Sequence, residues 1–373
     1  MNTRKYDDFF ANDGSQIEKT FVEGNTNEHL ARQNTFDIEI AHDSISSYNM
    51  LPSGMESIII GSGKLCGLLG YGGMSKVYKI WNEKLEIFRA VKILLPGQNP
   101  DLRDRFETEA KISAKLHHPN IIEIYNVGEW KGHPYLEMEY IDGEPLDSLI
   151  MRNGRFPDVI CCSIALSIAR ALSYAHASEL LLYGKEYHGI IHRDLKPANI
   201  MISKSGNVKL MDFGIARPAQ TSLHTIEGNL VGTLQYLSPE QMDGMNIDSR
   251  TDIYSFGTIL YEMLTGTKTF PQDSITELMK KKVVNDYRKL TDFGYKITPD
   301  LAKITQKCLH LNKNERFESA EILLDRLEEV HKKLSANSSV KVIKLYFSHT
   351  DCKESNKRDN PKFSDYIMQS FPL

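Results

Sequence analysis

The sequence predicts an α+β fold in two lobes, a small β-rich one followed by a larger α-rich one. Three observations carry this. Between Ser57 and about Ile124, strand-like runs ("KLCGLLG", "SKVYKIWN", "IFRAVKIL") enclose one helical pattern, "DLRDRFETEAKISAKL", with Phe106, Ala110, Ile112 and Leu116 as its apolar face. After the strand-like "IIEIYNVGEW" and "HPYLEMEYI", the patterns become mostly helical: "DVICCSIALSIARALSYAHA", "DIYSFGTILYEMLTG", "PDLAKITQKCLH" and "SAEILLDRLEEVHKKL". Between the two halves, "IDGEPL" (Ile141 to Leu146) carries Gly and Pro and reads as a linker. The expected lobes are 58–140 and 141–334.

Composition limits the function. The chain has 373 residues, 41% hydrophobic and 25% charged, enough for a sizeable core. A formal net charge of −4 argues against a nucleic-acid binder or a polybasic membrane anchor, so an anionic ligand must be held locally. The five cysteines are odd in number and lack C-x-x-C spacing, and Cys161 and Cys162 are adjacent, which fits a reduced, cytoplasmic compartment. The start "MNTRKYDDFFANDG" has no apolar signal core and the apolar runs are short or interrupted, so no membrane span is expected.

The two ends differ from the body. Residues 1–57 are rich in Asn, Ser and Thr and hold ten acidic against four basic residues, which reads as a flexible or weakly structured acidic extension. Within it, "NTFDIEIAHDSISSYNML" has enough pattern to lay a short strand or helix on the body. Residues 335–373 read as a polar tail, with the alternating "VKVIKLYF" as an edge strand or a partner-binding stretch.

The run "LLGYGGMSKVYKI", Leu68 to Ile80, has the pattern of a glycine-rich turn between two strands. Gly70 and Gly72 match G-x-G-x-x-G, but Ser75 stands where a third glycine would be. By itself the fragment reads first as a hairpin turn, where glycine supplies positive φ. The rest of the chain decides.

The deciding run is "GIIHRDLKPANIMI", with His192, Arg193 and Asp194 followed by Lys196 and Asn199. It resembles the catalytic loop of eukaryotic-type protein kinases. Phosphoryl transfer needs a carboxylate beside the acceptor hydroxyl, assigned to Asp194, and a neutral oxygen ligand for a metal, assigned to Asn199. Lys196, two residues past the aspartate, can offset charge on the transferring phosphoryl group. Eighteen residues past Asp194, "KLMDFGIA" places Asp212 after an apolar strand; in the kinase pattern this residue holds Mg²⁺ (or Mn²⁺) on the ATP phosphates. A second D-F-G at Asp292 to Gly294 falls in a polar stretch out of order and reads as an ordinary loop.

What else the resemblance implies covers roughly Lys64 to His331. Lys92 in "FRAVKIL" would bind the α- and β-phosphates, with Glu109 of "RFETEAKI" as its partner in preference to Glu107. The turn amides of Gly70, Tyr71, Gly72, Gly73, Met74 and Ser75 would face the phosphates. "LEMEYIDG" would be the hinge, with Met138 guarding the back pocket and Glu139 to Ile141 offering backbone groups to adenine. Val77 and Ala90 would roof the base and Met201 floor it. In "LVGTLQYLSPEQ", Ser238, Pro239 and Glu240 stand in place of A-P-E, Glu240 would pair with Arg316, and Thr233 would lie in the substrate-binding turn. Asp252 would brace the catalytic loop from beneath. The flavour of "GYGGMSKVYK" and "GTLQYLSPEQM" is that of the bacterial-type serine/threonine branch.

One departure is an insertion, "SELLLYGKEYH", before the catalytic loop, which is either a surface protrusion for a partner or a tolerated loop. Arg193 beside Asp194 accompanies control by activation-loop phosphorylation in this family, with Thr225, then Ser222 and Thr221, as acceptors, and Glu227 supplying part of the negative charge. The resemblance also implies ATP as cofactor, protein substrates and small-lobe homodimers as one mode of association. Three functions follow: an active serine/threonine kinase, a kinase-fold scaffold with little activity, and a small-molecule phosphotransferase. Scaffolds of this fold usually lack one of Lys92, Glu109, Asp194, Asn199 and Asp212, and all five are present. The complete activation segment argues against a small-molecule acceptor.

Overall fold

The structure, a computed structural model, describes residues 58–72, 74–95, 100–182, 184–213, 234–244, 247–271 and 274–355. The N-terminal lobe is a six-stranded antiparallel sheet of β1 (Ile59–Ile60), β2 (Gly63–Tyr71), β3 (Ser75–Asn82), β4 (Ile87–Leu94), β5 (Ile124–Trp130) and β6 (His133–Glu139), in the order β1-β2-β3-β4-β6-β5. Helix α1 (Pro100–Ser113) serves both lobes. Its Phe106 and Ala110 pack with Ile124, Leu136 and Met138, while Ile112 and the following Leu116 join the C-terminal core. The apolar face expected from sequence is therefore real, and it is divided between two cores.

The linker stretch is a strand. β7 (Gly143–Pro145) pairs antiparallel with β10 (Ile200–Ser203), which also pairs with β11 (Val208–Leu210). Only glycine fits at 143, because a Cβ there would lie 2.0 Å from the Ile202 carbonyl oxygen.

The C-terminal lobe is built on α3 (Asp158–Ala177) and α5 (Arg250–Thr265), with α2 (Leu146–Asn153), α4 (Pro239–Met242), α6 (Ile275–Val283), α7 (Pro299–Cys308) and α8 (Ala320–Leu334) around them. Every residue of α5 after Arg250 is buried. By length and apolarity α3 is able to cross a membrane, but most of it is inside the protein, and Leu323, Leu327 and Val330 of α8 share its core. A helix apolar all round is what a central core position requires.

Two further stretches take definite form in the structure. The insertion before the catalytic loop forms a hairpin, β8 (Glu179–Leu182) with β9 (Lys185–His188); Leu180 and Tyr187 pack on the core and Leu181 is exposed. "VKVIKLYF", expected within a polar tail as an edge strand or partner-binding stretch, belongs instead to a helix, α9 (Ser339–Ser355). Its buried side chains, Val342, Ile343, Tyr346 and Phe347, recur at helical spacing, which the apparent alternation conceals. Phe156 receives Tyr346 and Phe347 edge-on at 5.9 and 6.0 Å. Gly206, at φ 88°, lets the β10–β11 turn meet this helix, since a Cβ there would sit 2.3 Å from the Val340 carbonyl oxygen. The body therefore continues past the expected boundary at residue 334.

The packing of α9 predicts that Phe347→Ala lowers unfolding stability by about 3 kcal/mol, as a buried aromatic truncation does. Val340→Ala, on the exposed side, should shift it by no more than about 0.5 kcal/mol in the same denaturant titration.

Candidate active site

The site lies where β4, the catalytic loop and the end of β11 meet. On β4, Lys92 stands between Val77 of β3 and Leu136 of β6 in register. Its Nζ lies 2.7 Å from Asp212 Oδ1, a contact joining the two lobes. Burial works against the charge on Lys92, but Asp212, with Glu109 and Asp194 adding their fields, outweighs it and raises the ammonium above its ordinary value. The same pair, again against burial, holds Asp212 below the usual carboxylate range. Lys92 thus has Asp212 in hydrogen-bond contact, and the expected partner Glu109 acts on it through its charge.

The catalytic loop ends in a 3-10 turn, Pro197–Asn199, that fixes its polar groups. Asn199 donates from Nδ2 to the Asp194 carbonyl oxygen at 2.8 Å and to Asp194 Oδ2 at 3.2 Å. Lys196 Nζ is 3.1 Å from the same carboxylate oxygen. The Met211 amide donates to the Asn199 carbonyl at 2.9 Å, which ties the loop to the residue before Asp212. His192 is fully buried and its tautomer follows from its neighbours. The Asp194 amide donates to Nδ1, so Nε2–H donates to the Met211 carbonyl at 2.9 Å. Burial pushes the ring below its ordinary pKa and keeps it neutral, tilted against Phe213 at 4.6 Å.

Beneath the loop, the buried Asp252 of α5 accepts from the His192 amide at 2.7 Å, the Arg193 amide at 2.9 Å and His176 Nε2 at 2.8 Å. Burial alone would raise this carboxyl; the donors, His176 first, hold it below the usual range. Arg193 has left-handed backbone at φ 65°, unusual for a side-chain-bearing residue, and Asp212 does too at φ 53°. Gln241 Nε2 donates to the Arg193 carbonyl at 2.9 Å. Gln241 is itself fixed by a reciprocal capping box with Ser238.

Residues 64–327 match the protein kinase domain family. The chain belongs to this family. It is 38% identical over 275 residues to serine/threonine-protein kinase PknB of Mycobacterium leprae, covering 72% of this chain and 43% of that protein. A probable serine/threonine-protein kinase of Clostridium perfringens, CPE1738, is 35% identical over 271 residues, covering 72% of this chain and 38% of the relative. The chain therefore spans less than half the length of these curated relatives. Among solved structures, the kinase domain of Mycobacterium tuberculosis PknI aligns with a TM-score of 0.55 at 25% identity, covering 74% of this chain and 98% of that one.

In this kinase domain, Val77, Ala90, Met138 and Ile141 meet in one apolar cluster with Ile122, Ile124 and Leu136. Met211 joins them, a residue the sequence reading passed over although it directly precedes Asp212. Met201 lies opposite Pro145 in register, and Glu139 donates its amide to Glu123 while its carboxylate pairs with Lys209 at 2.7 Å. The glycine-rich stretch is a hairpin turn closed by the Gly72 amide on the Ser75 carbonyl at 2.8 Å, with Tyr71 and Met74 exposed and nothing within 4 Å of where a Cβ on Gly70 would be. The second D-F-G sits in a separate turn, where Phe293 packs against Tyr261 and Tyr295. Gly73, Thr221, Ser222, Thr225, Glu227 and Thr233 lie outside the described residues.

Glu240 and Arg316 form the expected pair as a two-pronged contact, 2.7 and 2.8 Å, with both side chains buried. Thr251 Oγ1 also donates to Glu240, and the remaining guanidinium donors reach the carbonyls of His310, Arg250 and Leu311. Burial raises the Glu240 carboxyl, but Arg316 outweighs it and the pKa falls below its ordinary 4.5. Because the folded value is depressed, the stabilisation is complete above pH 4.5 and is lost as pH falls through the folded value. Glu240→Gln should therefore cost about 3 kcal/mol at pH 7, and its gap to the wild type in urea titrations should narrow below pH 4.5.

Proposed function

We propose that the chain is an ATP-dependent protein serine/threonine kinase. One observation carries this reading: Lys92, Asp194, Lys196, Asn199 and Asp212, spread over 121 positions of sequence, meet as two linked sets of contacts at the junction of the lobes. A carboxylate flanked by an ammonium and an amide, beside a second carboxylate on another ammonium, suits a polyanion and a hydroxyl nucleophile.

In this reading Asp194 orients the acceptor hydroxyl and takes its proton as the hydroxyl oxygen bonds to the γ-phosphorus and the β–γ bridge breaks, releasing ADP. Lys196 offsets charge on the transferring group, and Lys92 holds the α- and β-phosphates with Glu109 supporting it. The donor chemistry fits Mg²⁺ or Mn²⁺. Asn199 uses its amide nitrogen on Asp194, which leaves its carbonyl oxygen for a cation, and Asp212 keeps Oδ2 outside its bond to Lys92. The metal supplies neutralisation of phosphate charge. Val77 and Ala90 on one side and Met201 and Met211 on the other would hold adenine, next to Met138 and the backbone of Glu139 to Ile141. Serine and threonine as acceptors are supported by Lys196, by Thr233 and by the similarity to serine/threonine-protein kinases. Phosphorylation of the activation segment at Thr225, Ser222 or Thr221 is the regulatory part of the same proposal.

The test is γ-phosphate transfer from labelled ATP with Mg²⁺ to a degenerate peptide pool carrying one central Ser or Thr. Lys92→Met and Asp194→Asn should each lower kcat by roughly a hundredfold or more, while Met151→Ala, exposed on α2, should not. Equal signal from wild type and Asp194→Asn would overturn the enzyme reading. Transfer to aminoglycoside-like hydroxyls in preference to peptides would overturn the protein-acceptor reading.

A further inference from the structure

Among the described residues of the C-terminal lobe, one fully buried lysine has no carboxylate in contact. Lys282, near the end of α6, is fully buried, and its Nζ donates to the carbonyls of Leu234, Gln235 and Leu237 at 2.9, 2.8 and 2.6 Å. The one carbonyl between these, that of Tyr236, is taken by Ser255 Oγ of α5 at 2.8 Å, and the Tyr236 hydroxyl reaches Glu262 Oε2 at 2.6 Å. Four consecutive carbonyls of the 234–237 turn are thus held from behind. The rings of Tyr254 and Phe270 stand 5.5 Å from the ammonium, and Leu234, Phe270 and Leu278 form a small apolar cluster around the turn. The neighbouring Lys281 pairs with Asp286, so that carboxylate is directed elsewhere.

Such a site is costly to build. Burial with no carboxylate beside it pushes the Lys282 ammonium down to about 7, while three carbonyl oxygens at hydrogen-bond distance favour the charged form. A lysine head suits the task because three hydrogens on one nitrogen can converge on three carbonyls, which the planar fork of arginine cannot match. The turn it holds directly follows Thr233 and directly precedes the Ser238 cap of α4, whose Gln241 contacts the catalytic loop through the Arg193 carbonyl. This stretch is the floor on which an acceptor chain would rest if the phosphotransfer reading above holds.

We propose that Lys282 is a positioning residue for the protein acceptor, clamping the 234–237 turn in the shape that receives the substrate chain. This rests on the kinase reading and goes beyond it, because no contact of Lys282 reaches Asp194, Lys92 or the nucleotide side of the site among the described residues. The clamp acts on acceptor binding and leaves phosphoryl chemistry on ATP alone.

The experiment uses the full chain with Lys282→Met, which keeps the length of the side chain and removes all three donors, and Lys282→Gln, which keeps two N–H groups. Apparent KM for the degenerate Ser/Thr peptide pool, KM for ATP, and peptide-free ATP hydrolysis are read on each preparation. The expected result is a peptide KM raised roughly tenfold in the Met variant and about threefold in the Gln variant, with ATP KM and ATP hydrolysis within about twofold of wild type. An unchanged peptide KM in the Met variant would overturn the proposal. So would peptide transfer and ATP hydrolysis falling by the same factor in both variants, which is the behaviour of a residue that only supports the fold. Wild type that hydrolyses ATP yet phosphorylates no peptide would sink the protein-kinase reading itself, and the acceptor role with it.

Discussion

A single buried carboxylate, Asp252, holds the catalytic loop. Two successive backbone amides, from His192 and Arg193, and the ring of His176 converge on its two oxygens. The buried interior of the lobe is an expensive place for a charge, and three donors make it tolerable there. In return, the amides set the left-handed turn at Arg193, and that turn decides where Asp194, Lys196 and Asn199 point. The rest of the lobe secures Asp252: α5 is buried along nearly its whole length, so the carboxylate has no room to shift away from the loop.

The charges around this anchor fall into two kinds. Lys92–Asp212 is partly open to solvent and joins the lobes, so both side chains have room to exchange partners. Glu240–Arg316 is closed in, with all its donors and acceptors satisfied, and ties the segment after the activation loop to the region following α7. Breaking a pair of the second kind leaves an unpaired buried charge, so it behaves as a fastening. Lys282 belongs to the same group of fastenings but uses carbonyls in place of a carboxylate, which suits a turn whose neighbouring side chains are apolar.

Much of the site was legible because its chemistry is written in short, ordered spacings. Lys92, Asp194, Lys196, Asn199 and Asp212 each sit in a local run with few alternative meanings, and the structure places them together. Less legible were groups whose roles depend on what lies opposite them in space. Met211 is one apolar residue among many until the cluster with Val77 and Met138 is seen, and Gln241 reads as an ordinary helix residue until its amide meets the Arg193 carbonyl. Lys282, in a run of three lysines, has the sequence appearance of a solvated face. The fold was not legible at "VKVIKLYF", where lysines interrupting β-branched and aromatic residues imitate strand alternation although the core-facing set has helical spacing. The preference of Val and Ile for strands was overridden by tertiary packing against Phe156.

If Asp252 is the anchor, the catalytic loop should lose its order when that carboxylate loses one of its oxygens. Asp252→Asn offers one acceptor and one donor group to three donors, so at least one loop amide must face an N–H. The most direct measurement is amide hydrogen exchange on the full chain, wild type against Asp252→Asn, read at His192 and Arg193 and, for comparison, within α5 and α3. The anchoring role of Asp252 requires exchange at those two amides to be faster by roughly tenfold or more, with the helix cores little changed. Unchanged protection of both amides in the variant would contradict it.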